Sequence, residues 1–381
     1  MSDEILVIDD ADRYGRLRLI SWWRQEKLAA AKILVVGAGA LGNEVLKNLA
    51  LLGAGHVYII DYDAIESTNL TRSVLFRAGD AGRPKSERAA AAVKALNPDV
   101  RARAVNGDVI TDLGLGVFEE MDVVVGCLDN REARLWINRQ CWKVNKPWVD
   151  GAIQEISGVV KVFVPPDSAC YECGMTSRDY QLINLRYSCP LLKREDIAEG
   201  KVPTAPTISS IVAGLQTQEA LKLLHGMPVK AGTAFVFNGE SNNFYPTAYQ
   251  RKADCLSHET YGPRVDVPVG AADPVEALFE ATGGVRLRLD RDLVVELACA
   301  CGRRRDVLRP LARVTMKDGR CACGQAMKPK IVQTVERGSP LAARALREAG
   351  VAPYDIVRVE TATAGIYARL SKDRSEALSW A

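Results

Sequence analysis

Lys32-Ile33-Leu34-Val35-Val36-Gly37-Ala38-Gly39-Ala40-Leu41-Gly42 carries the strongest structural signal in the chain. A short apolar run breaks into Gly-x-Gly-x-x-Gly, a helical stretch follows to about Leu52, and a second apolar run, 57–60, ends in Asp61. That order reads as a βαβ unit. Working outward, strands are expected at 101–105 and 121–126, with helices at 84–96 and 131–144. Alternation of this kind gives an α/β, doubly wound, Rossmann-like domain with a mainly parallel sheet covered by helices.

Beyond it the pattern changes. Residues 158–164 read as a strand, 208–224 as an amphipathic helix, and 234–237 with the stretch around Tyr245 as a closing pair of strands. The helical stripe Ile208, Ile211, Val212, Leu215 and Leu221 reads as core packing. The segment 262–274, with five Gly or Pro, reads as a linker. This divides the chain into a first domain, 1–260, and a smaller one, 275–381. In the second, 285–289 and 293–297 alternate on either side of a charged turn, Ser339-Pro340 starts a helix that Gly350 ends, and 356–359 and 366–370 are strands. Hairpin, helix and strands in that order suit a small α+β, β-grasp-like domain.

Composition narrows the function classes. The 381 residues, 48% hydrophobic, are enough for roughly two to three ~150-residue domains. The 50 basic and 47 acidic residues are interleaved along the chain, so the net +3 implies no electropositive field and no nucleic-acid partner. Residues 1–10 are acidic, without a basic leader, and no apolar run approaches the roughly 18 residues of a membrane span. The expectation is a cytoplasmic protein with no membrane association. Ten cysteines are then unlike disulfides, and several fall in close pairs or near a histidine, as zinc ligands do.

The glycine motif brings backbone amides close to phosphate, and Asp61, 19 residues after Gly42, suits a ribose hydroxyl. By itself this leaves NAD, FAD and ATP open, and an NAD-linked oxidoreductase or a nucleotide-binding scaffold fits it. The polar groups that follow are Asp61-Tyr62-Asp63, Ser67-Thr68-Asn69-Leu70-Thr71-Arg72, Gly82-Arg83-Pro84-Lys85 and Cys127-Leu128-Asp129-Asn130. They stand at strand ends and helix starts, where ligands of doubly wound sheets sit. Taken singly, each reads as a solvated surface charge. Converging, an arginine, a lysine and an acid suit a triphosphate with magnesium.

With Arg13-Tyr14-Gly15-Arg16 in front, these pieces resemble, in order and spacing, the ubiquitin-activating enzyme superfamily, which includes the bacterial adenylating enzymes of molybdopterin and thiamine synthesis. The resemblance covers about 13–258 and implies ATP-dependent adenylation of the C-terminal carboxylate of a ubiquitin-like protein. It implies Gly37, Gly39, Gly42, Asp61 and Asp63 at the nucleotide, with Asp61 on the ribose. Asn69, Arg72 and Lys85 would lie on the phosphates and Asp129 on Mg²⁺. Arg16 would reach into the other subunit's site of a homodimer. Two glutamines usual in the family are replaced by Leu17 and Ser73. The C-terminal domain resembles the ubiquitin-fold element that recruits a conjugating enzyme, and the whole resembles activating enzymes of bacterial ubiquitin-like conjugation operons, some of which serve antiphage defence. A sulfur-carrier adenylyltransferase without conjugation is the alternative.

Cys170-Tyr171-Glu172-Cys173 sits where many members carry half of a structural zinc site, and Cys255-Leu256-Ser257-His258 stands for the other half, giving a Cys₃His set; ordinary loop residues are the alternative. Cys299-Ala300-Cys301 and Cys321-Ala322-Cys323 form a second four-thiolate set, a zinc-ribbon insertion, with two redox-sensitive pairs as the alternative. Cys127 and Cys141 read as core residues. Cys189, between Arg186 and Lys193-Arg194, is the expected nucleophile, since neighbouring cations favour thiolate and the family places a thioester-forming cysteine in this crossover region.

Overall fold

The structure, a computed structural model, describes residues 11–188, 203–315 and 317–380. Five parallel strands form the centre of the first sheet: β1 (Lys32–Val36), β2 (His56–Asp61), β3 (Arg101–Asn106), β4 (Val123–Gly126) and β5 (Trp148–Gln154), in the order β3-β2-β1-β4-β5. The chain winds outward from β1 to β3, then restarts at β4 on the other side. The carboxyl ends of β1 and β4 therefore flank a topological switch point, the place where open α/β sheets bind ligands. Three antiparallel strands extend the sheet: β6 (Ser157–Phe163), β7 (Thr233–Asn238) and β8 (Asn243–Ala248). Residues 33–36 and 123–126 are buried throughout because helices cover both faces, which is why these strands are continuous apolar runs.

Helices Ala40–Leu52 and Pro206–His225 pack on one face, and the apolar stripe of the latter enters the core except at Ile211, which is 41% exposed. Gly226, at φ +72°, caps its C-terminus, donating from its amide to Leu223 O and Lys222 O. Cys127 and Cys141 are buried in the two cores that flank the sheet. No helix among the described residues is long and apolar enough to cross a membrane.

A second, mixed sheet contains β9 (Arg264–Val267), β10 (Gly284–Ala298), β11 (Arg304–Pro310), β12 (Lys328–Glu336), β13 (Ile356–Thr361) and β14 (Gly365–Leu370), in the order β11-β10-β13-β14-β9 with β12 also on β10. The α/β domain with a smaller zinc-ligand-bearing mixed-sheet unit is thus as expected, but three local expectations are corrected. The segment 262–274 is no free linker: β9 pairs in parallel with β14, and Val267, Val269 and Ala271 are buried. The hairpin across 285–297 is one 15-residue strand, β10. Its charged centre is a bulge, because four residues, 289–292, stand opposite Gln333 alone. Arg291 reaches from this bulge to Ile110 O and Leu113 O of the first domain, while within its own unit it meets Gly350 O and pairs with Asp355 at 3.2 Å. Last, 339–350 is a series of turns. Besides local turn bonds, its backbone pairs with the neighbouring segment, with Leu346 N donating to Asp273 O and Arg347 N to Ala271 O, while Val275 N and Glu276 N donate back to Arg344 O and Ala342 O. A helix would need those same groups. The longer helix of this unit is instead Val275–Thr282, with a short one at Arg374–Ala377.

The two units share a buried seam. Tyr354 is fully buried and its hydroxyl donates to Glu120 at 3.0 Å; Arg374 and Arg369 bind Glu120 and Glu119 at 2.8 Å. A Cβ on Gly114 or Gly116 would lie 2.3 Å from Pro353 O or 2.4 Å from Tyr354 O, so backbone meets backbone here.

Candidate active site and metal centres

At the switch point β1 ends in Gly37, whose φ of +96° and an added Cβ only 2.4 Å from Cys127 O leave room for glycine alone. A Cβ on Gly42 would lie 2.0 Å from Gly37 O, so that glycine lets the Ala40–Leu52 helix press on the turn. Gly39 differs: no heavy atom lies within 4 Å of its missing Cβ, and the opening is the cleft. A phosphate approaching the amides of this helix N-terminus meets no side chain. The first and last glycines shape the protein, and the middle one leaves space for a ligand.

Asp61, at the end of β2, closes the turn. Its carboxylate accepts from Ala38 N at 2.7 Å and Asp63 N at 2.8 Å, and burial raises its pKa against the pull of Lys85. Asn43, fully buried and not anticipated, donates to Ala38 O and Gly39 O and accepts from Leu75 N, tying the glycine turn to the segment that carries Asn69 and Arg72.

The cleft, about 830 Å³, is lined by Gly37, Gly39, Asp61, Asp63, Asn69, Arg72, Lys85 and Asp129, together with Arg134 and Lys161. Lys85 Nζ lies 2.8 Å from Asp63 at the rim. Asn69 accepts from Glu66 N, and Arg72 donates to Thr68 O at 3.0 Å, which holds both in one turn. Asp129 is exposed at the end of β4, and Asn130 caps the Arg131–Lys143 helix by accepting from Ala133 N. Arg16 is exposed and does not line the cleft, while Tyr14 beside it is fixed inside by hydrogen bonds with Asn97 and Asp99.

The floor holds a charged group that the sequence did not reveal. Asp150, fully buried on β5, binds Arg134 at 2.9 Å and Lys161 at 3.3 Å. Arg134 also reaches Leu128 O and Gly151 O. Burial lowers the Lys161 pKa against the attraction of Asp150. Asp150-Gly151 inside a strand hid β5, since both residues are poor strand formers. Asp150 thus holds two basic side chains in place at the cleft floor, a preorganised wall of hydrogen-bond donors.

Two ligand sets assemble elsewhere, each with its four ligand atoms within 4.8 Å of one another. In the first, Cys170 Sγ is 3.6 Å from Cys173 Sγ and 3.5 Å from Cys255 Sγ, and Cys173 Sγ is 3.4 Å from His258 Nε2. Thiolates around tetrahedral zinc, each about 2.3 Å from the metal, stand about 3.8 Å apart, so these spacings fit. Stacking on Trp142 orients His258, and Glu172 bridges Ser257 and Arg139, locking the two halves together. In the second, Cys299–Cys323 and Cys301–Cys321 are 3.6 and 3.7 Å apart. Both turns have the same form: Cys299 N to Arg303 O and Cys321 N to Gln325 O, with Gly302 and Gly324 at φ +88° and +86°. Cys189 lies outside the described residues.

Comparison with known proteins places this geometry. The chain is 28% identical over 271 residues to ubiquitin-like modifier-activating enzyme 5 of Rattus norvegicus, an alignment covering 66% of this chain and 64% of that protein. It is 30% identical over 253 residues to the sulfur carrier protein ThiS adenylyltransferase of Escherichia coli (strain K12), covering 65% of this chain and 94% of that one. The crystal structure of E. coli MccB with succinimide superposes with a TM-score of 0.54 at 25% identity, covering 65% of this chain and 74% of MccB. Residues 12–257, which contain the glycine turn, the cleft and the three cysteines of the first ligand set, match the ThiF family, and the chain is a member of it.

Proposed function

We propose that the chain uses ATP to adenylate the C-terminal carboxylate of a ubiquitin-like or sulfur-carrier protein. The observation that carries this is the lining of one cleft by an open Gly39, the acids Asp61 and Asp129 and the cations Arg72, Lys85, Arg134 and Lys161. A carboxylate oxygen of the substrate bonds to the α-phosphorus as the bond from that phosphorus to the pyrophosphate oxygen breaks, and pyrophosphate leaves with the electron pair. Two anions must meet, so the protein's task is alignment and charge neutralisation. No general base is needed, because the attacking carboxylate is ionised at neutral pH; none of the three histidines lines the cleft. Asp61 holds the ribose, and Asn69, Arg72 and Lys85 the phosphates. Asp129 would hold Mg²⁺, which supplies neutralisation of the phosphate oxygens. Arg16, exposed, completes the site of a second copy in a homodimer.

The more specific reading is a modifier-activating enzyme. After adenylation the Cys189 thiolate attacks the acyl carbon of the adenylate, the bond to the phosphate oxygen breaks and AMP leaves, so that the modifier remains as a thioester; the second sheet serves a conjugating enzyme, in an operon of the antiphage type. Support comes from the resemblance to modifier-activating enzymes and from the substantial unit that follows the family region. The 30% identity across 94% of the E. coli sulfur-carrier enzyme favours the second reading, adenylation without conjugation. Exchange of labelled pyrophosphate into ATP, dependent on a modifier ending in glycine, tests the common step. Asp129→Ala should lower it at least ~10²-fold, and full exchange in that variant would remove the cleft assignment.

A further inference from the structure

We infer that Arg313, in the second sheet unit, is a positioning residue for the nucleotide cleft. The inference rests on the cleft being the nucleotide site, and it concerns the wall formed by Gly107, Asp108, Val109 and Ile110, just beyond β3. This wall has no regular secondary structure. Its shape depends on two carboxylates four residues apart: Asp108 Oδ1 accepts from Ile110 N at 2.9 Å, and Asp112 Oδ2 accepts from Asp108 N at 2.9 Å. Two anions in one turn, beside a cleft that takes a polyphosphate, need a counter-charge. Arg313 supplies it, with Nη2 on Asp112 Oδ1 and Nε donating to Thr111 Oγ1 at 3.1 Å.

The grip continues along the chain. Arg291 takes Ile110 O and Leu113 O, and Asp355 accepts from Leu115 N at 2.7 Å, so the second unit holds 110, 111, 112, 113 and 115. Arg291 is buried and structural, whereas the Arg313 side chain is 49% exposed and can be changed without opening a core. The turn Leu311–Arg313 is set by Leu311 and Val314, which pack against the cluster of Val294, Leu297, Cys299, Cys321 and Met327. The four-cysteine unit thereby places a guanidinium on the wall of a cleft in the other sheet. Through Asp112 the cation fixes the Asp108 backbone and screens the anionic wall without contact to the ligand.

The test uses the full chain with Arg313→Ala and Arg313→Lys. Hydrogen exchange of amides 107–112 is measured without nucleotide, and binding of Mg·ATP by calorimetry. A half-exposed pair with two bonds is worth up to about 1 kcal/mol, or about fivefold. Arg313→Ala should raise exchange in 107–112 and weaken ATP binding, each by about three- to fivefold, with zinc content unchanged and the melting temperature lowered by no more than roughly 2–4 °C. Arg313→Lys should fall between, because an ammonium can neutralise Asp112 without spanning to Thr111. Asp112→Asn added to Arg313→Ala should cost no further affinity, the mark of a shared interaction. Unchanged exchange in Arg313→Ala overturns the inference whether or not ATP binds; unchanged ATP affinity alongside raised exchange overturns its link to the cleft. A native chain that binds no ATP removes the proposed function, a result distinguishable from both.

Discussion

Substituting Gly39 by alanine separates ligand space from protein architecture. A Cβ there touches no protein atom within 4 Å, and the backbone, at φ −74°, already suits any residue. Gly39 is the N-cap of the Ala40–Leu52 helix, where alanine in place of glycine costs about 1 kcal/mol or less. On a domain of this size that lowers the melting temperature by roughly 2–4 °C. In the cleft the same methyl stands where phosphate oxygens must come within hydrogen-bond distance of the helix amides. Each charge-assisted bond is worth about 1.5–3 kcal/mol, so losing even one weakens binding by at least about tenfold, and losing two by several hundredfold. Gly37→Ala should show the opposite profile, a large stability loss, since it combines φ +96° with a contact of 2.4 Å to Cys127 O. Calorimetric titration with Mg·ATP and thermal unfolding of the two variants form the assay. Native ATP affinity in Gly39→Ala would refute the placement of phosphate at this turn.

Three further outcomes are expected. Purified protein should carry about two zinc ions per chain, one lost in Cys170→Ser and the other in Cys321→Ser, with the first variant markedly destabilised because zinc binding contributes to folding; freshly prepared, chelator-free protein without zinc would refute both centres. Glu120, at the seam between the sheets, experiences burial that would raise its pKa, but its bonds with Arg374, Tyr354 and Lys32 outweigh that and hold it below the usual value. Its stabilisation is therefore complete above the unfolded pKa of about 4.3 and disappears as pH falls through the lower folded value. Glu120→Gln should cost roughly 1–2 kcal/mol at pH 7 and nothing once the native carboxyl is protonated; a deficit independent of pH in denaturant titrations would contradict this. Finally, Cys189→Ala should retain pyrophosphate exchange while losing any modifier adduct that thiol reductant removes, and persistence of that adduct would place the nucleophile elsewhere.

Legible in the sequence were the α/β core, the βαβ glycine turn, the motif residues Gly37, Gly39, Asp61, Asp63, Asn69, Arg72, Lys85 and Asp129 that line the cleft, and both candidate sets of metal ligands. These are local or periodic features: buried parallel strands need apolar runs, a phosphate turn needs glycine at fixed spacing, and zinc ligands come in close pairs. The rest depended on long-range contacts, wherever a polar residue's partner is distant in sequence. Asp150 can stand buried in a strand because Arg134 and Lys161 close on it. The charged centre of β10 looked like a turn until Arg291 found carbonyls nearly 180 residues earlier in the chain. The 339–350 segment had the ends of a helix, but its backbone groups bond to 271–276. Propensity and spacing report what a segment favours alone; a buried charge or an occupied amide is satisfied by whichever neighbour the fold supplies.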